Sequence, residues 1–211
     1  DNFTLYDKLL MSVESEMEET VAAVKKYGKG TPNEAFERKE NIAKINKMAA
    51  GIYMTAAGIP FFQAGEEYGR TKFGDGNSYR SDSELNMMRW HQTQEFSDLL
   101  AYYEGLIRLR KKLPGLYDKS ASAAERISEQ KIWGEGVVSF CVDNSSGDVA
   151  SKWSQLFIAY NNNAQKVCVT LPEGNWIVLA DKYDTDCEKT PVFTTNGQLI
   201  IEACSGIIVA K

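Results

Sequence analysis

Two patterns meet in this chain of 211 residues, and together they predict an α/β segment followed by an all-β segment. Up to Pro114, apolar residues recur at helical spacing, and one helix runs through a very short turn into a short apolar stretch. Beyond Pro114, apolar and polar residues alternate in short runs separated by turn residues. Helix, tight turn and buried strand favour a parallel sheet, whereas several short alternating runs indicate an antiparallel sandwich. The boundary falls within residues 115–125 and is placed between 118 and 119, giving segments 1–118 and 119–211.

The elements follow in order. Leu5, Leu9 and Leu10 stand at helical spacing, so a helix is expected to run to about Ser12. Residues 14–26 are charged, with Met17, Val21 and Val24 on one side, as in a surface helix. Gly28, Gly30 and Pro32 then break the pattern. Residues 34–57 carry an apolar stripe of Ile42, Ile45, Met48, Ala49 and Ile52, and Gly58 is a natural stop. A buried strand is expected at 59–63, parallel to its neighbours, followed by a polar loop region over 64–95. A helix over 96–113 places Leu99, Leu100, Tyr103, Leu106, Ile107 and Leu109 on one side and ends at Pro114-Gly115. Strands are expected at 137–142, 156–160, 167–171, 176–180, 199–201 and 207–209. Pro172-Glu173-Gly174-Asn175 and Asn196-Gly197 supply turns between them. The β-segment is expected to cover the apolar stripe of the 96–113 helix.

Composition narrows the function. A formal net charge of -5 and a pI near 5.1 leave no excess of Lys and Arg to neutralise phosphates, which argues against nucleic acid or an anionic membrane as partner. No apolar run is long enough to span a bilayer. Cys141, Cys168, Cys187 and Cys204 show no C-x-x-C spacing, so no metal site is expected. Cys141, Cys168 and Cys204 lie in apolar alternating runs and read as buried free thiols. The chain begins at Asp1 and holds too few α/β elements to close a sheet, so it reads as a piece of a longer polypeptide.

The residues that bear on chemistry cluster around 58–79. The apolar run Ile59 to Phe62 breaks into Ala-Gly and two adjacent carboxylates, Glu66-Glu67. In a barrel of parallel strands, the carboxyl end of a strand is where chemistry sits. Adjacent carboxylates rarely face each other across a substrate, so a structural use, pairing with Arg70 or Lys72 or capping a turn, is the stronger reading of Glu66 and Glu67. Asn77-Ser78-Tyr79 suits a sugar: a ring to stack on a pyranose and an amide to bond hydroxyls, or else a plain solvent loop. Asp1, with Asn2 or Thr4, reads from its own context as a helix cap. His91, the one histidine, has no nucleophile at a recognisable elbow and reads as structural or surface. Trp176 reads as core. Trp133 and Trp153 flank loops and read either as core or as rings that could stack on a sugar.

Gly58-Ile-Pro-Phe-Phe-Gln-Ala-Gly-Glu-Glu-Tyr-Gly-Arg-Thr-Lys72, with Asn77-Ser78-Tyr79 after it, resembles the last barrel strand and following loop of type I pullulanases. These are debranching enzymes of the α-amylase clan, glycoside hydrolase family 13. Asp1-Asn2-Phe3-Thr4-Leu5 resembles the fourth signature region of that family, a His-Asp-Asn-x-Thr-Leu stretch that ends the seventh barrel strand. Tyr102 to Lys111 resembles its last barrel helix, and residues 120–211 resemble, more loosely, its C-terminal β-sandwich.

The resemblance implies that 1–118 is the C-terminal end of a (β/α)8 barrel and 119–211 an antiparallel β-sandwich. It implies retaining hydrolysis of α-1,6-glucosidic bonds in pullulan, glycogen or starch-derived glucans. Asp1 would be the third catalytic acid, stabilising the oxocarbenium-like transition state, and Asn2, Asn77 and Tyr79 would contact substrate. Gly-Glu-Glu would be a core element near the pocket floor. The nucleophile Asp and acid Glu of the family lie on the fourth and fifth strands, segments this sequence does not contain, so the chain alone is expected to be inactive. The implied partners are a branched α-glucan and the upstream part of the same enzyme, with no cofactor. Two residues depart from the family's pattern: Arg80 stands where Asn is usual, and Arg89 precedes Trp90 where Asp is usual. Isoamylase or a branching enzyme is a weaker match to the same motifs. The rival reading is a non-catalytic carbohydrate-binding or structural β-sandwich module.

Overall fold

Thr4 opens the first helix, α1 (Leu5–Val13): its hydroxyl accepts the N–H of Asp7 at 3.1 Å, satisfying one of the donors that a helix start leaves free. The computed structural model describes residues 2–13, 32–145 and 151–211; the side chains of 32–38 are outside that description. Asp1, the helix expected over 14–26 and most of the break after it therefore lie outside the described residues. The chain divides into two compact units, one of residues 1–46 with 61–101 and one of residues 47–60 with 102–211.

Helix α2 (Pro32–Thr55) buries Ile42, Met48, Ala50 and Met54. Ile52, placed on the apolar stripe by its spacing, is exposed. Gly58 ends the run with φ 95°, a left-handed conformation that costs glycine little and other residues much. Short helices α3 (Ser83–Asn86) and α4 (Gln92–Glu95) follow, then α5 (Ser97–Lys112) and α6 (Pro114–Tyr117). Pro114 sits in the first turn of α6, where its missing N–H has no cost.

The strand expected at 59–63 does not form. These residues have no ladder partner among the described residues, and Ile59 and Phe61 are 76% and 94% exposed. A strand exists only as a member of a ladder; without a neighbour the apolar run has nothing to bury against.

Among the described residues, eight strands build the second unit: β1 (Ile127–Gly134), β2 (Val137–Asp143), β3 (Gln155–Asn161), β4 (Val167–Thr170), β5 (Ile177–Ala180), β6 (Thr185–Lys189), β7 (Gln198–Ile201) and β8 (Ser205–Ala210). Six form one antiparallel sheet in the order β1-β2-β3-β8-β5-β6, and β4 pairs with β7 in a second. The two sheets enclose one core. Cys141, Phe157, Ala159, Val178 and Val209 come from the large sheet; Val169, Leu199 and Ile201 come from the small one. Trp176 joins that core, edge-on to Phe157, with Nε1 donating to the Pro172 carbonyl at 2.8 Å. β3 is the central strand and is buried along nearly its whole length.

Helices cover the large sheet on another side. Tyr102 and Leu106 of α5 and Met48 and Gly51 of α2 surround a small cavity with Tyr160, Ala180 and Ile208. Arg110, nearly buried, closes the end of α2. Its guanidinium donates to the carbonyls of Met54, Ala56 (3.0 Å) and Gly58 (2.6 Å). Gly105 brings α5 against β6: a Cβ there would stand 1.8 Å from the Thr185 hydroxyl and 3.1 Å from its carbonyl oxygen. The thiols differ from the sequence expectation at two positions. Cys141 is buried, but Cys168 is exposed, on the outward side of β4, and Cys204 is half-buried. Strand alternation sends every second residue outward, and Cys168 falls on that parity.

Gly105→Ala is expected to destabilise the chain by about 1–3 kcal/mol, because overpacking outweighs the roughly 1 kcal/mol of helix propensity that alanine gains. Urea unfolding of the variant checks this; equal or greater stability would contradict the close approach. Burial, aided by the nearby Glu129 carboxylate, pushes the Cys141 thiol up to about 11, so it is neutral and sequestered at pH 8. Iodoacetamide under native conditions should alkylate Cys168 and spare Cys141 until denaturant is added, as peptide mass spectrometry would read.

Candidate functional site

The loop region over 64–95 is built on one buried carboxylate. Asp7, on α1, is fully buried. It accepts hydrogen bonds from the Thr71 hydroxyl and from the Lys72 N–H at 2.9 Å. A carboxylate held this way fixes residues 71 and 72 against a helix more than sixty positions away in sequence. Lys72 is buried too, and its Nζ donates to Ser78 Oγ at 2.5 Å. Ser78 in turn donates to Asn86 Oδ1 at 2.9 Å, while Asn86 Nδ2 donates back to the Ser78 carbonyl at 2.7 Å. Arg70 donates to the carbonyls of Asn86 (2.8 Å) and Ala64 (3.1 Å), closing the frame.

Within this frame, Gly65 (φ 96°) and Gly69 (φ 68°) bracket a tight helical turn, Glu66–Tyr68. Glu67 accepts from the Gly65 N–H at 2.9 Å and so latches its own turn. The Glu66 carbonyl accepts from Asn46 Nδ2 at 3.2 Å. Tyr68 is buried, donates to Met88 Sδ and packs its ring 6.0 Å from that of Trp90. Burial, then the neighbouring Glu67 charge, raises the Tyr68 phenol above its ordinary range, so it stays a neutral donor.

The candidate sugar-contacting side chains sit on top of this base. Asp75 Oδ1 accepts the Asn77 N–H at 2.8 Å and its Oδ2 accepts the Ser81 hydroxyl at 2.7 Å, shaping the turn that presents Tyr79. The side chains of Asn77 and Tyr79 are exposed, Tyr79 to 65%, and the Arg80 guanidinium lies 5.1 Å from the Tyr79 ring centroid. Asn2 is exposed, and its Oδ1 accepts the Phe3 N–H at 2.8 Å. The Phe3 ring reaches Gly76, where a Cβ would stand 3.1 Å from it. The segment after Asp1 and the loop bearing Asn77 and Tyr79 are therefore neighbours, although 75 positions separate Asn2 from Asn77. Asp1 itself lies outside the described residues. His91 is exposed, with Nε2 3.9 Å from Glu95 Oε1. Arg89 stacks 5.1 Å from the Phe73 ring and donates to the Glu84 carbonyl. Asp7, Thr71 and Asn86 escaped the sequence reading, which named Lys72 only as an ion-pair partner for Glu66 or Glu67; the one local signal was the Thr4-x-x-Asp7 cap pattern. Among the described residues no three His, Cys, Asp or Glu side chains gather to hold a metal ion.

An exposed aromatic and amides stand here on a rigid polar base, chemistry that can meet a neutral, hydroxyl-rich class of ligand. Comparison with known proteins narrows the class. The chain is 27% identical over 172 residues to the pullulanase of Bacillus subtilis, covering 82% of this chain and 21% of that enzyme. It is 29% identical over 154 residues to the chloroplastic isoamylase SU1 of Zea mays, covering 68% of this chain and 19% of that enzyme. It superposes with a TM-score of 0.75 on the pullulanase of Paenibacillus barengoltzii, solved in complex with maltohexaose and α-cyclodextrin, at 26% identity, over 100% of this chain and 28% of that one. No family model matches. The chain is thus similar to pullulanase, isoamylase and glycogen debranching enzymes, and its fold matches the C-terminal region of pullulanase. It spans 19% to 28% of the length of these relatives.

Asp7→Ala should leave the Thr71 hydroxyl and the Lys72 N–H buried without an acceptor, at about 1–3 kcal/mol for each unmet group. A drop in the urea midpoint, with faster amide exchange over 70–80, checks it. Unchanged exchange there would show that the loop does not depend on Asp7.

Proposed function

We propose that this chain is the C-terminal part of a pullulanase-like glycoside hydrolase, which cleaves α-1,6-glucosidic bonds in pullulan, glycogen or starch-derived glucans with retention of configuration. The observation that carries this reading is the pairing of two loops that the family uses at its site. The segment Asn2-Phe3-Thr4-Leu5 and the Asn77–Tyr79 loop lie side by side through Phe3 and Gly76, on a base fixed by Asp7 and Lys72. Superposition of the whole chain on a pullulanase crystallised with maltohexaose supports the choice of ligand.

In this reading residues 1–118 are the end of a (β/α)8 barrel and 119–211 a β-sandwich. The exposed run Ile59 to Phe61 would be covered by neighbouring barrel strands of the same enzyme. Asp1 stabilises the positive charge that develops on the sugar, because a fixed carboxylate acts most strongly where charge appears only in the transition state. Asn2 and Asn77 bond hydroxyls, and the Tyr79 ring stacks on a pyranose face. Glu67 is committed to its turn and is not a proton donor in this scheme. The other two acids of a retaining pair come from the rest of the enzyme.

Two measurements test this. The purified 211-residue chain should release no reducing sugar from pullulan, and activity should appear only when the upstream polypeptide is added. In that assembled enzyme, Asp1→Asn should lower kcat by roughly 10²–10³, the scale of losing one preorganised electrostatic partner, with a smaller change in KM. Hydrolysis by the chain alone would overturn the assignment of the missing acids; a near-normal kcat for Asp1→Asn would reduce Asp1 to a helix cap.

A further inference from the structure

The second unit holds a cleft that the proposed active site does not use. It has a volume of about 450 Å³ and lies between the end of α5, residues 151–153 and the edge strand β6. Sites for small organic ligands typically run from about 300 to 1,000 Å³. Two half-buried aromatic rings, Trp153 and Tyr117, line it. Around them stand two ion pairs: Lys112 Nζ is 2.6 Å from Asp186, and Lys152 Nζ is 2.6 Å from Glu188. Lys152 Nζ also sits 4.5 Å from the Trp153 ring centroid.

We infer that this cleft is a second, non-catalytic binding site for an α-glucan chain; the choice of glucan rests on the function proposed above. A pyranose offers an apolar C–H face and a rim of hydroxyls that both donate and accept. The cleft matches both parts. The aromatic rings supply flat apolar surface, the carboxylates supply acceptors and the ammonium groups supply donors. Among the described residues, Lys112 and Lys152 already stand in ion pairs with Asp186 and Glu188. A neutral sugar can add to such pairs without breaking them, whereas a phosphate group would have to strip Lys112 or Lys152 from its carboxylate. Asp186 supports the view of a shaped site. It holds φ 56°, a strained value for a residue other than glycine, and its carboxylate reaches both Lys112 and, at 3.5 Å, Arg108. Tethering a polysaccharide here would raise the concentration of its branches near the enzyme without touching the chemistry.

Calorimetric titration of the 211-residue chain with maltohexaose tests the inference, using Trp153→Ala, Trp153→Phe and Tyr79→Ala. Trp153→Ala should raise Kd by about tenfold or more, Trp153→Phe should retain most of the binding because a ring remains, and Tyr79→Ala should leave this site intact. Should Trp153→Ala lose its native circular dichroism, Glu188→Gln takes its place and should weaken binding without unfolding the chain. Absence of maltohexaose binding by the native chain, or binding that survives Trp153→Ala, would overturn the inference. Binding lost in Tyr79→Ala but kept in Trp153→Ala would do so too, while favouring the proposed active-site loop. Displacement of maltohexaose by inorganic phosphate would refute a neutral-sugar site. Absence of pullulan hydrolysis in the reassembled enzyme, with Trp153-dependent binding intact, would sink the proposed activity and leave the cleft standing.

Discussion

A charged group taken out of water must be met by hydrogen bonds, and in this chain two such groups, Asp7 and Arg110, hold the framework on which the candidate sites stand. Asp7 meets the requirement with a hydroxyl and a backbone N–H from the loop at Thr71 and Lys72. Arg110 meets it with three backbone carbonyls at the end of α2. In both cases the partners belong to segments that would otherwise be free loop or a frayed helix end. The bonds therefore convert irregular backbone into fixed geometry.

The consequence for Asn77 and Tyr79 is direct. Both side chains are exposed, and an exposed loop normally loses conformational freedom on meeting a ligand. Here Ser78, between them, is locked by Lys72 and Asn86, and Asp75 shapes the turn beneath. Much of the ordering is therefore done before any ligand arrives, which lowers the conformational cost of binding at such a surface. Glycine serves the same end elsewhere. Gly65 and Gly69 allow the sharp Glu66–Tyr68 turn, and Gly105 lets α5 approach β6 closely enough for the Thr185 hydroxyl to donate to the Tyr102 carbonyl at 3.0 Å.

The β-unit serves more than one purpose. Its central strand β3 is buried on both faces, by the two-sheet core on one side and by Tyr102, Leu106 and Met48 around Tyr160 on the other. The edges differ in character. β1 exposes Glu129, Gln130 and Lys131, and β6 carries Asp186, Glu188 and Lys189, so both discourage pairing with another sheet. Two of these charges, Asp186 and Glu188, also line the cleft beside Trp153, which is how an edge strand becomes a candidate binding surface.

Sequence alone determined the elements whose signal is local. Helical spacing placed α2 and α5, Gly58 and Pro114 marked their ends, and short apolar or alternating runs placed β2, β3, β4, β5, β7 and β8, because each buries at least one face and writes that burial into its own residues. It also pointed to the debranching-enzyme family through short motifs at Asp1, Gly65 and Asn77. Only the tertiary structure decided the rest. β1 and β6 carry little apolar alternation, since an edge strand faces water, and they exist because β2 and β5 offer them ladders. The run at 59–63 has the composition of a buried strand and forms none, because a strand takes its hydrogen bonds from its neighbours. The base of the candidate site joins Asp7, Lys72, Ser78 and Asn86. None is unusual in its local context, and their role arises from a fold that brings distant polar groups together away from water, where each must find a partner.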